Sequence, residues 1–190
     1  MTADLDRLRS DDSTWDAFVE DSETCFPLQL TAWARAKAPY GWSSARVVAD
    51  GGAGPIGAQV LIRSLGPGPF AMGYAPRGPV ATAFDADSLA AFTEALRAFA
   101  KARRLTHVTA DPGLEGDAHD TLFEATGWRP ADVLQLGSTQ IIDLAGTEEE
   151  LWHDVYKSSR RYANGARKKG CYVQEEGEPA LPVFYDILAE

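Results

Sequence analysis

A short basic segment near the C-terminus is the first place where residue types and spacing suggest chemistry. Six of the eighteen Lys and Arg residues fall within positions 157–169, and no acidic residue interrupts them, although the whole chain has a formal net charge of -10. A local positive segment on an acidic protein suits an anion such as phosphate, diphosphate or an RNA backbone. The alternative is an ordinary solvated helix face. The six residues are Lys157, Arg160, Arg161, Arg167, Lys168 and Lys169.

Three other positions carry side chains that suit ligand binding. Trp33 and Lys37 are four residues apart in a predicted helix, so they share a face and the ammonium group could reach a phosphate. Arg77 stands in the turn YAPRGPV, which could present it to an anion. Asp111 ends a predicted strand, where carboxylates often line a ligand crevice. Alternatively, Lys37 is an ordinary surface lysine, the turn at Arg77 only closes a strand, and Asp111 only initiates a turn.

Several classes of site are missing from the sequence. There is no P-loop, no G-x-G-x-x-G that leads from a strand into a helix, no G-x-S-x-G and no H-E-x-x-H. The two cysteines and three histidines lack the spacing of metal ligands. We therefore expect no metal and no cofactor, and we expect an enzyme of this sequence to work by positioning and charge stabilisation.

Composition and the N-terminus bear on location. No run of about 18 apolar residues is present, which argues against a membrane span. The first residues, MTADLDRLRSDD, mix charges of both signs and lack the apolar core of a secretory signal. We expect a cytoplasmic protein.

Periodicity and capping signals divide the chain into alternating helices and strands. Ser13 is the expected N-cap of the first helix, and Thr147 with Glu150 forms a capping box that opens a late one. Leu89, Phe92, Leu96 and Phe99 mark one apolar helix face after Asp85 or Asp87. The predicted helices cover about 13–19, 28–38, 86–99, 118–126, 148–169 and 181–190, and the predicted strands cover 45–49, 57–65, 69–76, 105–112, 138–144 and 171–174.

This order of elements predicts an α/β (α+β) fold with a mixed sheet flanked by helices. Some strands follow each other across short turns and others are joined by helices. On the basic helix we expect Tyr156, Ala163 and Ala166 to mark the buried side, with Arg160, Arg161, Arg167 and Lys168 pointing outward. Arginine at 160 and 161 favours bidentate phosphate binding.

An ordered set of segments resembles a known family. The segments are LQLTAWARAK with a tryptophan after four intervening residues, YAPRGPV, ADP, TQIIDL followed by GTEEELW, and a basic motif K-x(2)-RR-x(4)-AR. Together, from about residue 12 to residue 190, they resemble the FemABX family of tRNA-dependent, non-ribosomal peptidoglycan aminoacyltransferases.

The resemblance implies a GNAT-like (acyl-CoA N-acyltransferase-like) fold and a domain plan. Residues 1–150 are expected to be a first GNAT-like subdomain, 151–170 a basic crossover helix, and 171–190 the start of a second, truncated GNAT-like subdomain. The implied donor is aminoacyl-tRNA. The implied acceptor is UDP-MurNAc-pentapeptide or lipid II, the latter with peripheral membrane contact.

The resemblance also implies roles for individual residues. Lys37 and Arg160 are expected to bind the diphosphate of the acceptor. Trp33 lies in the same motif as Lys37, and Arg161 is the alternative to Arg160. Asp111 matches an acceptor-site aspartate. Arg77 and Lys157 complete the expected substrate-binding set, and no catalytic residue is assigned. Two other functions stay open: an acyl-CoA-dependent N-acyltransferase, and a non-catalytic module that binds RNA or another anion.

Overall fold

The computed structural model describes residues 2–22, 24–114, 117–132, 134–135 and 142–189. The chain divides into two units, Met1–Gly137 and Ser138–Glu190. We refer to the first as the sheet unit and to the second as the helical unit. The domain boundaries at 150 and 170 stay a prediction.

The sheet unit alternates helices and strands, with short 3-10 turns at Pro27–Gln29 and Ala38–Tyr40. Its elements are α1 (Thr2–Ser10), α2 (Asp12–Glu20), α3 (Thr31–Lys37), β1 (Ser43–Asp50), β2 (Pro55–Ser64), β3 (Ala71–Arg77), β4 (Val80–Ala81), α4 (Ala86–Ala102), β5 (Leu105–Pro112) and α5 (Asp117–Ala125). The helical unit contains α6 (Glu148–Asp154), α7 (Lys157–Lys168), a 3-10 turn at Glu178–Ala180 and α8 (Leu181–Ala189).

The strands form a mixed sheet in the order β1-β2-β3-β5, with β4 paired to β2. The pairs β1–β2, β2–β3 and β2–β4 are antiparallel, whereas β3 and β5 run parallel. The connection between β3 and β5 includes α4, as parallel strands require a crossover. The predicted mixed sheet with flanking helices is therefore confirmed.

Helices cover both faces of this sheet. On one face, Leu89, Phe92 and Leu96 of α4 pack on a buried cluster that includes Val47 of β1. On the other face, a second cluster joins α1 and α2 to the sheet through Leu8, Trp15, Val19, Val48 and Val80. Val47 and Val48 belong to different clusters because consecutive strand residues face opposite sides.

A glycine allows the second cluster to pack closely. A Cβ atom built on Gly57 would lie 2.9 Å from the Val47 carbonyl oxygen and 3.2 Å from the Trp15 ring. Trp15 is fully buried, and its Nε1 donates to the Gln29 carbonyl oxygen at 2.7 Å. The absence of a side chain at 57 therefore makes room for the tryptophan that anchors α2.

Most of the local predictions are confirmed. Asp85 caps α4 by accepting a hydrogen bond from the Ser88 backbone N–H, and the predicted apolar face is the buried one. The capping box of Thr147 and Glu150 begins α6.

Three local predictions differ or cannot be compared, and one helix was not predicted. The N-cap of α2 is Asp11, because its carboxylate accepts from the Thr14 N–H, while Ser13 donates its hydroxyl to the same carboxylate. The segment 171–174 has no strand, since no partner strand pairs with it among the described residues. Of the predicted strand 138–144, positions 138–141 lie outside the described residues. Helix α1 was not predicted.

The helical unit has a different character from the sheet unit. Helices α6, α7 and α8 contain no buried residue among the positions described. Tyr156 is 77% exposed, so the prediction that it marks a buried side is wrong, whereas Ala163 and Ala166 are partly covered. None of the helices described is long and apolar enough to cross a membrane.

Candidate functional site

The Asp111 carboxylate lies at the carboxyl end of β5 and both of its oxygen atoms accept hydrogen bonds. Oδ1 accepts from the backbone N–H of Arg77 at 2.8 Å, and Oδ2 accepts from the Tyr74 hydroxyl at 3.2 Å. The parallel register explains this arrangement, because Asp111 pairs with Pro76, which is flanked by Arg77 and lies two residues beyond Tyr74. The strand ends therefore hold the carboxylate in one orientation.

Arg77 has an unusual backbone conformation for a residue with a side chain. Its φ is +55°, in the left-handed region, which typically costs an L-residue about 1–2 kcal/mol. The hydrogen bond from its N–H to Asp111 helps to fix this conformation. Its guanidinium carbon lies 5.1 Å from the centre of the Phe26 ring. Such conformations persist where the surroundings determine them, and they concentrate at functional sites.

The fully buried amide of Gln29 connects the turn that contains Arg77 to the rest of the sheet. Its Nε2 donates to the Pro76 carbonyl oxygen at 2.6 Å, and its Oε1 accepts from the Gln59 backbone N–H at 2.7 Å. Gln29 lies two residues before the start of α3. The two sequence motifs LQLTAWARAK and YAPRGPV are thus joined by one buried side chain.

A cleft of about 490 Å³ opens beside the Asp111 carboxylate. It lies between the end of β5, helix α5 and the segment that follows this helix. Among the described residues, four carboxylates and two guanidinium groups line it, so this charged lining is acidic: Asp111, Asp120, Glu124, Asp132, Arg77 and Arg129. This excess of acidic groups favours a cationic or N–H-donating ligand over a free anion.

The Tyr74 phenol, which contacts Asp111, has a perturbed pKa. Burial raises the pKa of its phenol above the ordinary value of 10.0, and the nearby Asp111 carboxylate also raises it. A hydrogen bond from Gln135, with Nε2 at 3.0 Å from the phenol oxygen, acts in the opposite direction. The phenol is therefore protonated at neutral pH.

Lys37 and Trp33 lie against each other on α3, as their spacing predicts. The Lys37 Nζ atom is 4.6 Å from the centre of the indole ring, a cation–π geometry. The Trp33 Nε1 atom is buried without a hydrogen-bond partner among the described residues. Neither residue belongs to the described lining of the Asp111 cleft. The structure thus brings Arg77 and Asp111 together and shows Lys37 and Trp33 as a separate pair.

The basic helix α7 contains arginines in two environments. Arg160 is half-buried, and its Nη1 donates to the Trp152 carbonyl oxygen at 3.3 Å and to that of His153. These carbonyls belong to the last turn of α6, which has no partners for them within the helix. The expectation that Arg160 points outward is therefore corrected. Lys157 and Arg161 are exposed, and the Arg161 guanidinium lies 5.5 Å from the Tyr162 ring centre.

Sequence reasoning missed three residues of the Asp111 region: Tyr74, Gln135 and Gln29. Tyr74 carried a signal, since it precedes Pro76 by two positions and therefore shares its face of the strand. Gln135 and Gln29 carried none, because their partners are distant in the sequence. Among the described residues, no group of three or more His, Cys, Asp or Glu side chains is arranged to hold a metal ion.

The fold and the candidate site define a mixed-sheet α/β protein with a cleft at the carboxyl ends of two parallel strands. A model of the FemAB family matches residues 11–132, well over half of the chain. The chain belongs to the FemAB family.

Comparison with known proteins gives relatives of about twice the length. The lipid II:glycine glycyltransferases of Staphylococcus haemolyticus (strain JCSC1435) and Staphylococcus aureus (strain MRSA252) are each 27% identical over 197 residues, covering 97% of this chain and 47% of the relative. The crystal structure of FemX aligns with a TM-score of 0.73 and 24% identity over 91% of this chain and 46% of that one. This likeness confirms the GNAT-like fold. The chain spans about half the length of the curated relatives it matches.

Proposed function

We propose that the chain provides the acceptor-binding part of an aminoacyltransferase that acts on a peptidoglycan precursor. The donor is aminoacyl-tRNA, and the acceptor is the peptide stem of UDP-MurNAc-pentapeptide or lipid II. The observation that carries this proposal is the Asp111 carboxylate, fixed by two hydrogen bonds in an acidic cleft. Membership of the FemAB family, and the names of the relatives as lipid II:glycine glycyltransferases, support the class of reaction.

The cleft suits the amino group that accepts the new residue. An amine donates hydrogen bonds, and an ionised carboxylate such as that of Asp111 only accepts them. The attacking nitrogen must be neutral, so Asp111 acts here by orienting an N–H bond. Arg77, held in place by Asp111 and Phe26, lines the same cleft and adds a cation for the carboxylates of the peptide stem.

The phosphates of the acceptor are assigned to cations outside the cleft. Lys37, supported by Trp33, has no ion pair among the described residues. Lys157 and Arg161 are exposed. Arg160 donates to the α6 carbonyls through Nη1, and its guanidinium has further N–H groups that could bind phosphate. Binding the diphosphate supplies energy remote from the reacting atoms, and this energy is used to align the amine.

The reaction itself needs little covalent chemistry from the protein. The amine nitrogen attacks the ester carbonyl of the aminoacyl-tRNA, an oxyanion develops, and the ribose oxygen leaves with a proton that the amine loses. The ester is already activated, so holding both reactants and stabilising the oxyanion lowers the barrier. Aminoacyl-tRNA places the reaction in the cytoplasm, and a lipid II acceptor would bring the protein to the membrane surface.

Calorimetric titration with UDP-MurNAc-pentapeptide tests the proposal. We expect Asp111→Asn and Lys37→Ala each to weaken binding by about 1–3 kcal/mol, the range for a lost hydrogen bond to a charged group. Lys101→Ala is the matched control, because Lys101 is an exposed lysine in the last turn of α4. Wild-type affinity in both test variants would contradict the assigned site.

A second candidate function has its own observation. Lys157 and Arg161 lie exposed on a helix that is free of acidic residues, which favours an RNA- or anion-binding module. Salt-dependent binding of tRNA without any binding of UDP-MurNAc-pentapeptide would support that reading. An acyl-CoA-dependent enzyme would need a phosphate loop of the form R/Q-x-x-G-x-G/A at a strand–helix junction. The sequence matches this pattern only at 63–68, which lies at the turn between β2 and β3 and opens no helix. Protection of the fold by CoA would be the signature of such an enzyme.

A further inference from the structure

Three side chains form a chain of hydrogen bonds that ends on Asp111. The Gln135 amide donates to the Tyr74 phenol oxygen at 3.0 Å, and the phenol donates to Asp111 Oδ2 at 3.2 Å. The other carboxylate oxygen accepts from the Arg77 backbone N–H. The Tyr74 hydroxyl and the Arg77 N–H thus converge on one carboxylate, and that carboxylate lines the cleft.

The direction of these hydrogen bonds follows from the chemistry of the groups. The Gln135 nitrogen can only donate, and an ionised carboxylate can only accept. The phenol has one proton, so it must accept from Gln135 and give its proton to Asp111. A donor fixed in this way leaves the carboxylate little freedom to rotate about its last side-chain torsion.

The sheet itself places the phenol beside the carboxylate. Tyr74 pairs with Thr109, and Pro76 pairs with Asp111, in the parallel register of β3 and β5. Residues two apart on a strand share a face, so Tyr74 and Asp111 project from the same side of the sheet. The neighbours Ala75 and Ala110 face the opposite side, where they pack in the core under α4.

We propose that Tyr74, supported by Gln135, is a positioning residue that orients the Asp111 carboxylate toward a ligand N–H group in the cleft. The inference rests on the proposed function, in which Asp111 holds the acceptor amine. A carboxylate offers about four lone-pair positions, and the hydrogen bonds from the Tyr74 hydroxyl and the Arg77 N–H use two of them. The remaining lone-pair positions are available to a ligand, and the hydrogen bond from Tyr74 fixes their direction.

Titration of the Tyr74 phenol tests the hydrogen-bond chain independently of any ligand. Asp111 raises the pKa of this phenol and Gln135 lowers it, so the two contacts have opposite signs. Asp111→Asn should therefore move the phenolate absorbance transition to lower pH, and Gln135→Leu should move it to higher pH. The transition is assigned by its loss in Tyr74→Phe, with Tyr40→Phe as control because Tyr40 is exposed. Shifts of the same sign, or none, would overturn the inference.

A double-mutant cycle tests whether Tyr74 acts through Asp111. In the wild-type background, Tyr74→Phe should weaken binding of UDP-MurNAc-pentapeptide about 5- to 10-fold, as expected for one hydrogen bond. In the Asp111→Asn background the same change should cost less than about twofold, because the group being positioned is altered. An equal loss in both backgrounds would indicate a separate packing role and would overturn the positioning role. A wild-type chain that binds no acceptor would contradict the proposed function, and the phenol titration would still decide the role of Tyr74.

Discussion

The sheet unit and the helical unit bury their apolar side chains to very different extents. In the sheet unit, Trp15 and Phe92 are fully buried between helices and a mixed sheet. In the helical unit, the large apolar residues of α8 are 48–68% exposed: Leu181, Val183, Phe184, Tyr185, Ile187 and Leu188. Burial of apolar side chains therefore stabilises the sheet unit, whereas the helical unit is stabilised by local hydrogen bonds and helix capping. The site at Asp111 depends on the first kind of stability.

The largest contrast should appear when one phenylalanine is truncated in each unit. Phe92→Ala removes a fully buried ring from the core under α4, and it should lower the free energy of unfolding by about 3–5 kcal/mol. Phe184→Ala removes a ring that is 54% exposed, and it should change that free energy by about 0.5 kcal/mol or less. Urea unfolding followed by tryptophan fluorescence measures both. Equal effects would show that the two units do not differ in this way.

A smaller difference in the free energy of unfolding is expected between substitutions of two glutamines, one buried and one exposed. Gln29→Leu leaves the Gln59 N–H and the Pro76 carbonyl buried without partners, which should cost about 2–3 kcal/mol. Gln174→Leu is the matched control, since Gln174 is exposed and bonds only to Glu176 among the described residues. The control should unfold at the wild-type urea concentration. If Gln29→Leu did so too, the buried amide would not be what holds the turn at Arg77.

The N-cap of α6 should contribute measurably to the stability of this helix in the helical unit. Thr147→Ala removes the side chain that accepts from the Glu150 N–H, and an N-cap of this kind contributes about 1 kcal/mol to helix stability. Amide hydrogen exchange in α6 should therefore speed up, while exchange in α4 stays unchanged. Thr147→Ser preserves the hydroxyl and should restore protection. Unchanged exchange in Thr147→Ala would mean that the capping box is not what begins α6.

The smallest effect should come from acidification. Hydrogen bonds from Thr14 and Ser13 lower the pKa of Asp11 to about 2, and hydrogen bonds from Thr147 lower that of Glu150 below its usual 4.5. A carboxyl group whose pKa is lowered in the folded state stabilises the fold at pH values above its pKa in the unfolded chain, which is about 3.8 for Asp11. That contribution is lost as the pH falls through about 2.

Unfolding measured from pH 5 to pH 2 should therefore show a loss of stability that Asp11→Asn reduces. The corresponding loss of α6 protection in the helical unit should be reduced by Glu150→Gln. Identical pH profiles for the variants and the wild type would show that these caps contribute nothing through their charge.

Sequence reasoning was most successful where a feature depends on nearby residues. The capping box at Thr147, the N-cap at Asp85 and the apolar face of α4 involve residues within a few positions of each other. One error was a local competition between Asp11 and Ser13 for the α2 N-cap, in which Asp11 is favoured because an ionised carboxylate is the stronger acceptor. The strand at 171–174 was wrong because a strand needs a partner, and a partner is not a local property.

The candidate site was predictable only in part. Asp111 and Arg77 were identified from their positions at a strand end and in a rigid turn, and the structure brings them into contact. Arg160 was identified by its charge, but its contact with the end of α6 depends on how two helices meet. The roles of Lys37, Trp33, Lys157, Arg160 and Arg161 in substrate binding stay predictions.

The sequence by itself determined most of the helices and strands of the sheet unit, the caps at Asp85 and Thr147 and the apolar face of α4, because these arise from hydrogen bonds and periodicity within a few residues. Only the tertiary structure decided that Tyr74 meets Asp111, 37 positions away, and Gln135, 61 positions away. It also decided that Gln29 reaches Pro76 across 47 positions. These contacts depend on strand register and on burial, and both are properties of the assembled sheet.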